Sequence, residues 1–531
     1  MWTSRITTPS EMATTYFHSA AIKECIDRMN MKIKGRLEGH YQHEGVRWML
    51  QREFDPDVKG GMLCDDMGLG KTIQSIALIC ANDTISPTLI ITTVGTVGQW
   101  RDALISFGGL RPIIVNSSFS GLLPDDAHVV ITAYSSFQKS KGQSPSCFND
   151  LLWGRIILDE GHTIRNKTTK VYEKICSLRS VSKWILSGTP LQNSVRDILN
   201  LAEWVGVDVR SNCSKSKNLK MDELERICGT YVLRRTQENE GLKNPRLALP
   251  PLETTVVKLG FVYNEEKELY KNLERYFTEQ LYLVSSQKKY LTVVEGITRC
   301  RQACTHIQLY MEGIEKKYDK EMTKTVGIYK RKRDSSLIKS SLPQLTSIPS
   351  NSTKIDYICD DIYNHTKRYK NKCLVFCMWT LEMKLIQAQL KQKGVSALVY
   401  DGKLKRDDKE DVLYNFKNSS IGVLILQIVC GSTGLNLECS NRVYITSPNW
   451  NPCIELQAIS RAYRKGQLQK VTCIRIVMEN TIEERCLEIQ NKKMELIKSS
   501  FDDDTLCQRL GGINDITLSD ADINNCFKRS T

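Results

Sequence analysis

Short apolar runs rich in Val, Ile and Leu recur along the chain, and between them the apolar positions fall at helical spacing. The runs predict strands over Gly61–Cys64, Thr88–Thr92, His128–Thr132, Arg155–Leu158 and Trp184–Leu186, then over Cys373–Cys377, Ala397–Tyr400, Val423–Gln427, Arg442–Ile445 and Val471–Val477. Strands alternating with helices predict parallel sheets covered by helices, so the fold class is α/β. The runs fall into two groups, which predicts two lobes. Between Arg234 and Ser352 the texture changes: a charged, aromatic helical pattern over Asn264–Tyr290, a Lys-rich stretch over Glu315–Asp334, then Ser/Pro-rich text to Ser350 that reads as a linker. Glu483–Ile497 is patterned as an amphipathic helix that braces the second lobe or crosses to the first. The first 35 residues have weak periodicity and the last thirty carry Asp502-Asp503-Asp504 and little apolar text, so both ends are expected to be peripheral. The expected division is a peripheral segment 1–35, a first lobe 36–250, a helical protrusion with basic linker 251–350, a second lobe 351–480, and a brace helix with tail 481–531.

The length of 531 residues excludes a single small domain. The formal net charge of +14 favours a polyanionic partner, nucleic acid first, without bearing on the fold. Nineteen cysteines are an odd count diluted over a long chain, and no secretory apolar segment follows Met1, so a reducing compartment is expected, with most thiols packed as small core residues. No apolar run approaches the roughly 18 residues of a membrane span, and a soluble monomer with no membrane partner is expected.

Chemistry concentrates first at Gly68-Leu69-Gly70-Lys71-Thr72, which follows a predicted strand and opens the helical pattern Ile73–Cys80. In such a loop glycines let backbone N–H groups converge on phosphates, a lysine supplies charge to the β and γ oxygens, and a threonine hydroxyl can ligate Mg²⁺. The full P-loop pattern is not met, because Asp65 stands where its first glycine would be. Asp159-Glu160 ends a strand. Carboxylates there face the crevice where ligands bind, Asp159 suited to hold Mg²⁺ and Glu160 to orient and deprotonate a water; alternatively the Asp merely caps the next helix.

The order of segments resolves this. Cys64-Asp65-Asp66-Met67-Gly68-Leu69-Gly70-Lys71-Thr72, Asp159-Glu160-Gly161-His162 and Ser187-Gly188-Thr189-Pro190-Leu191-Gln192-Asn193 together resemble the first lobe of the Snf2 family of superfamily 2 helicase-like ATPases. Leu37–Glu53 resembles the family's Q-motif segment, which implies that Gln42 reads adenine. Gln99-Trp100 and Thr132-Ala133-Tyr134 resemble the segments that touch a DNA strand. In the second lobe, Cys373–Cys377 resembles motif IV, Gly431-Ser432-Thr433-Gly434-Leu435-Asn436-Leu437 motif V, and Gln457–Gln467, with Arg461 and Arg464, motif VI. Asn449-Trp450-Asn451-Pro452 resembles a Snf2-type signature. The resemblance covers roughly residues 35–490 and leans toward the Rad5/Rad16-like branch, in a compact form similar to the Snf2-like proteins of large DNA viruses. Nothing between Val195 and Ser352 has the paired Cys-x₂-Cys ligands of that branch's RING domain.

The resemblance implies two RecA-like lobes with helical insertions, ATP and Mg²⁺ as cofactors, and a DNA-dependent ATPase that moves along double-stranded DNA and displaces bound proteins such as nucleosomes or polymerase. It implies catalysis by Lys71, Asp159, Glu160, Gln192, Arg461 and Arg464, with Arg464 as the finger and closure of the two lobes as the trigger. Asp66, Met67, Gly68, Leu69, Gly70, Thr72, Gly434 and Gln42 would line the nucleotide, and Trp100, Thr132, Thr433, Asn436 and Trp450 the DNA. A nuclear location, or a cytoplasmic viral replication site, follows. A strand-separating helicase and a nucleotide-gated scaffold are the competing readings. The chain departs from the family at Gln427-Ile428-Val429-Cys430 and at Tyr463.

Plainer readings stand beside these. Cys300, Cys304 and His306 lack a clear fourth ligand and the right spacing for zinc, so packing is expected. Lys330-Arg331-Lys332-Arg333 can be a nuclear signal, a DNA-backbone contact or a solvated loop. Trp450 can be a packed anchor, and Arg461 can pair with a carboxylate.

Overall fold

The structure of the protein, a computed structural model, describes residues 9–116, 119, 123–138, 147–188, 195–209, 217–237, 240, 244, 248–283, 286–314, 351–369, 371–431 and 434–501. These residues divide into two compact units, one running to Ala248 with 497–501 added, the other Leu249–Leu496. The Lys-rich and Ser/Pro-rich stretches, the tetrabasic run and the acidic tail lie outside the described residues.

In the first unit, strands β1 (Gly60–Leu63), β2 (Thr88–Thr92), β3 (Ile113–Ile114), β4 (Val129–Ala133), β5 (Leu152–Asp159), β6 (Arg179–Leu186) and β7 (Val232–Leu233) form a parallel sheet in the order β3-β4-β2-β5-β6-β1-β7. The central strands β1, β2 and β5 are buried almost throughout, which is why they read as continuous apolar runs rather than alternating ones. In the second unit, β8 (Leu252–Leu259), β9 (Lys372–Cys377), β10 (Ala397–Tyr400), β11 (Val423–Gln427), β12 (Ser440–Ile445) and β13 (Val471–Met478) make a second parallel sheet, β10-β11-β9-β12-β13-β8. The α/β class and the two parallel sheets agree with the expectation.

Two expected boundaries are corrected. Leu252–Leu259 belongs to the second sheet, not to a helical protrusion. As an edge strand it is largely exposed, so Thr254, Thr255 and Val256 carry β-branched side chains without an apolar run. The amino-terminal segment is likewise not peripheral. Pro9–Lys32 is a helix whose second half places Ile22, Cys25 and Met29 in the first unit's core, against Ile76 and Cys80 among others.

The helices Asn264–Leu283 and Ser286–Thr305 pack together around Leu273, Val293, Cys300 and Cys304, with Met478 and Ile482 in the same cluster. Here both thiols are core residues, and His306 Nδ1 accepts from Gln308 N–H. The cysteines whose side chains are described are buried thiols, apart from the exposed Cys176 and Cys439. The brace helix runs Ile482–Phe501. At its first turn Glu483 takes a bidentate contact from Lys354 Nζ (2.6 and 2.7 Å), with both side chains fully buried, while Ser447 Oγ lies 3.0 Å from the same nitrogen. No helix of the described residues is long and apolar enough to cross a membrane.

A second buried pair sits at the N-terminal end of the first sheet. Arg155 donates from Nε and Nη2 to Glu53 (2.5 and 2.7 Å), and its remaining donors reach Thr88 Oγ1 and the carbonyls of Asn82 and Ile85. Glu53 also accepts from Asn82 Nδ2, Ser182 Oγ and Trp184 Nε1. Both side chains are 0% exposed. Because breaking one side of such a pair strands a buried charge, Glu53→Ala is expected to destabilise the first unit by about 3–5 kcal/mol. Chemical denaturation should also show Glu53→Ala combined with Arg155→Met to be less harmful than the sum of the single changes.

Candidate functional site

The phosphate loop leaves the C-terminal end of β1 and enters the helix Lys71–Ala81. Gly68 (φ 92°) and Gly70 (φ 78°) hold left-handed conformations that L side chains resist, and a Cβ on Gly70 would lie 2.6 Å from Gln42 Nε2. Lys71 Nζ donates to the carbonyls of Asp65 (2.6 Å) and Asp66 (3.2 Å). Gln42 is buried beneath the loop, where Nε2 donates to Leu69 O and Tyr41 Oη and Oε1 accepts from Glu38 N–H. Its carboxamide thus supports the loop directly. Thr72, one residue past Lys71, is half-buried in the first turn of the helix.

Asp159 ends β5, two strands from β1, and Ser187 follows β6 between them. Thr92 Oγ1 (2.7 Å) and Trp100 Nε1 (2.8 Å) both donate to Asp159 Oδ2, and Tyr134 Oη donates to its backbone carbonyl (2.9 Å). Burial raises the Asp159 carboxyl above the usual carboxylate range, and neighbouring Glu160 adds to this; Lys71 acts on it in the opposite direction. Both hydrogen bonds fall on Oδ2. A hard oxygen ligand beside a phosphate loop fits Mg²⁺, which typically takes one or two carboxylates and completes its shell with phosphate and water.

Glu160 is held at φ 51°, ψ 47°, and Asn480 is the only other non-glycine residue at positive φ among the described residues. Such strain concentrates at working sites. His162 Nδ1 lies 3.2 Å from Ser187 Oγ and 3.3 Å from Glu160 Oε2, linking the two loops. Gly188, next in chain, is packed closely enough that a Cβ there would meet Met67 Cγ at 2.9 Å and Lys71 Nζ at 3.6 Å. The loops bearing Lys71, Asp159-Glu160 and Ser187-Gly188 therefore converge at one end of the first sheet.

In the second unit, the motif V and motif VI segments meet. Leu437 N–H donates to Arg461 O, Arg464 Nη1 to Leu435 O (3.3 Å), and Gln467 Nε2 to Glu438 O, Ser440 O and Ala462 O. Gly434 holds φ 58°, and Asn436 Oδ1 is buried without a hydrogen-bond donor. Arg461 Nε donates to Gln457 O within its own turn. Burial disfavours the Arg464 charge, with Glu438 opposing this.

Two expected DNA contacts are corrected. Trp100 and Thr132 are each 1% exposed, Trp100 spent on Asp159 and Thr132 on Ser136 Oγ (3.0 Å), so neither presents a surface to a strand. Trp450 is half-buried against the insert helices, with the Arg301 guanidinium 5.8 Å from its ring and equally far from Trp379. Gln192 and Thr433 lie outside the described residues. Residues absent from the expected set also serve the site: Thr92, Tyr134, His162, Ser187, and the trio Arg234, Arg235 and Gln237. Nothing in the sequence shows that Arg234 and Arg235 fold back on residues some 170 positions earlier.

Comparison with known proteins bears on this arrangement. The SNF2-related domain matches residues 41–309, and the helicase conserved C-terminal domain matches 353–466. The chain is 26% identical over 625 residues to an uncharacterized ATP-dependent helicase of Schizosaccharomyces pombe, covering 87% of this chain and 60% of that one. It is 25% identical to ATP-dependent helicase rhp16 of the same organism, covering 87% and 68%. With a probable global transactivator of Orgyia pseudotsugata multicapsid polyhedrosis virus it shares 26% over 497 residues, covering 90% and 93%. A solved Sulfolobus solfataricus SWI2/SNF2 ATPase core in complex with dsDNA shares 22% identity with a TM-score of 0.38, covering 88% of this chain and 94% of that one.

Burial, followed by the Arg165 charge, pushes the His162 imidazole down to about 4. The unfolded chain therefore takes up a proton near pH 6.5 that the native state refuses until about pH 4. This contribution to stability is complete above pH 6.5 and declines as pH falls toward 4, by up to about 3 kcal/mol. Urea unfolding across that window should show a shallower loss in His162→Gln than in the parent.

Proposed function

Because this chain belongs to the SNF2-related family of helicase-like ATPases, we propose that it is a DNA-stimulated ATPase that translocates on duplex DNA and displaces proteins bound to it. The observation that carries this reading is the convergence of Lys71, Asp159-Glu160 and Ser187-Gly188 at the end of the first sheet. In this reading the Gly68 and Gly70 turn would cradle the phosphates, Lys71 would neutralise β and γ oxygens, and Thr72 and Asp159 would hold Mg²⁺. The metal, when bound, offsets charge on the phosphate oxygens. Glu160, fixed by its left-handed backbone, orients the attacking water and takes its proton. Arg464, with Arg461, would supply the guanidinium charge that stabilises the transferring phosphoryl group, and Gln192 is a further candidate catalytic residue.

Duplex DNA would be gripped through its phosphates, with Thr433, Asn436 and Trp450 as candidate contacts, so binding should be salt-sensitive and weakly sequence-specific. The names of the relatives, a DNA repair protein RAD5 of Candida albicans and the viral global transactivator among them, support repair or transcription as the setting, in a nucleus or at a viral replication site.

ATP turnover should rise on adding duplex DNA. Glu160→Gln is expected to lower kcat by about 10²–10⁴-fold and Arg464→Ala by about 10³–10⁵-fold, while Lys71→Ala abolishes stimulated turnover. Triplex displacement without fork unwinding would support translocation. Efficient unwinding of a tailed duplex would instead identify a strand-separating helicase, and DNA binding with no turnover a scaffold.

A further inference from the structure

The phosphate loop of this chain lacks the glycine that usually opens such a loop, and Asp65 stands there, fully buried. Its carboxylate is held by Arg235, with Nε on Oδ1 at 2.9 Å and Nη2 on Oδ2 at 2.5 Å; Gln74 Nε2 adds a third donor at 3.0 Å. The same guanidinium reaches Gln74 Oε1 and the Tyr41 carbonyl and lies over the Tyr41 ring, 5.3 Å from its centre. Next to it, Arg234 Nη2 contacts Asp66 Oδ1 (3.2 Å), and its Nη1 reaches Gly188 O (3.3 Å). Gln237 Nε2 donates to Met67 O (2.6 Å). Backbone bonds from Cys64 N–H to Leu233 O and from Asp66 N–H to Arg235 O extend the β1–β7 pairing into the loop.

These contacts have a directional consequence. The carbonyl of Met67 is taken by Gln237, and that of Leu69 by Gln42 and Gln74. A trans peptide sets its N–H opposite its C=O. Holding these two carbonyls from behind therefore aims the amides of Gly68 and Gly70 the other way, as an anion cradle requires.

We propose that Arg234, Arg235 and Gln237 are positioning residues that hold the phosphate loop in its nucleotide-binding conformation, with the buried Asp65–Arg235 pair as the principal tie. The pair replaces a local glycine turn with a clamp delivered by β7, and it preorganises the loop's amides before nucleotide arrives. Preorganisation of this kind acts on binding more than on the chemical step. The proposal rests on the ATPase reading above, because it concerns the same loop.

The test uses the full chain and a fluorescent ADP analogue, with thermal melting measured alongside. Nucleotide affinity of the unaltered chain comes first: no binding would be a failure of the ATPase reading itself. Given binding, Arg235→Ala and Asp65→Asn should each weaken affinity at least tenfold and raise KM for ATP by a similar factor, with kcat changed less than threefold. The double variant should be little worse than either single one. Arg235→Lys should recover only part of the loss, since an ammonium cannot span both carboxylate oxygens. If Arg235→Ala fails to fold, Gln237→Ala removes only the Met67 tie and should still raise KM several-fold. Affinity and KM within twofold of the parent in the folded variants, with only the melting temperature lowered, would overturn the proposal.

Discussion

The first unit depends on one constraint: a glutamate and an arginine, both shut off from water, that must satisfy each other. Arg155 belongs to β5, the strand that ends in Asp159, and Glu53 closes the helix His40–Glu53 that also carries Gln42. A charge pair removed from water is tolerated only when its remaining donors and acceptors are also met, and here Asn82, Thr88, Ser182, Trp184 and the Ile85 carbonyl meet them. The knot joins three strands and two helix ends at the side of the sheet away from the chemistry. Asp159 is then set four residues farther along a strand whose other end cannot shift.

At the opposite end of the sheet the polar groups are arranged to do work. Trp100 and Thr92 fix one oxygen of Asp159, and Tyr134 fixes its carbonyl, so the carboxylate has one orientation. Glu160 is placed by backbone strain, and His162, kept neutral by burial, bridges that loop to Ser187. Both contacts are made through the same ring nitrogen, Nδ1, so one edge of the imidazole faces the Glu160 carboxylate and the Ser187 hydroxyl together.

The second unit repeats the logic with different residues. Lys354 and Glu483 form its buried pair, and Arg301 joins an insert helix to the ends of β9 and β12 through the Pro448 carbonyl and the faces of Trp379 and Trp450. Burying a charge against partners that come from distant segments makes each unit's register hard to alter, because any slip would strand the charge.

Central strands such as Thr88–Thr92 and Val423–Gln427 were legible in sequence to the residue, because burial on both faces writes an unbroken apolar run. The phosphate loop and the Asp159-Glu160 pair were legible because glycine, lysine and carboxylate chemistry is local in the chain. The exposed edge strand Leu252–Leu259 and the helix Pro9–Lys32 were not, since neither produces a strong periodic signal. Trp100 shows the limit most plainly: beside Gln99 it resembles a strand-contacting motif, yet its indole is buried and turned on a carboxylate 59 residues away. By itself the sequence determined the α/β class, the family and the position of the glycine-lysine loop and the Asp159-Glu160 pair at strand ends. Only the tertiary structure decided which side chains hold those residues in place, because Arg235 on Asp65 and Glu53 on Arg155 are contacts between segments that no local pattern connects.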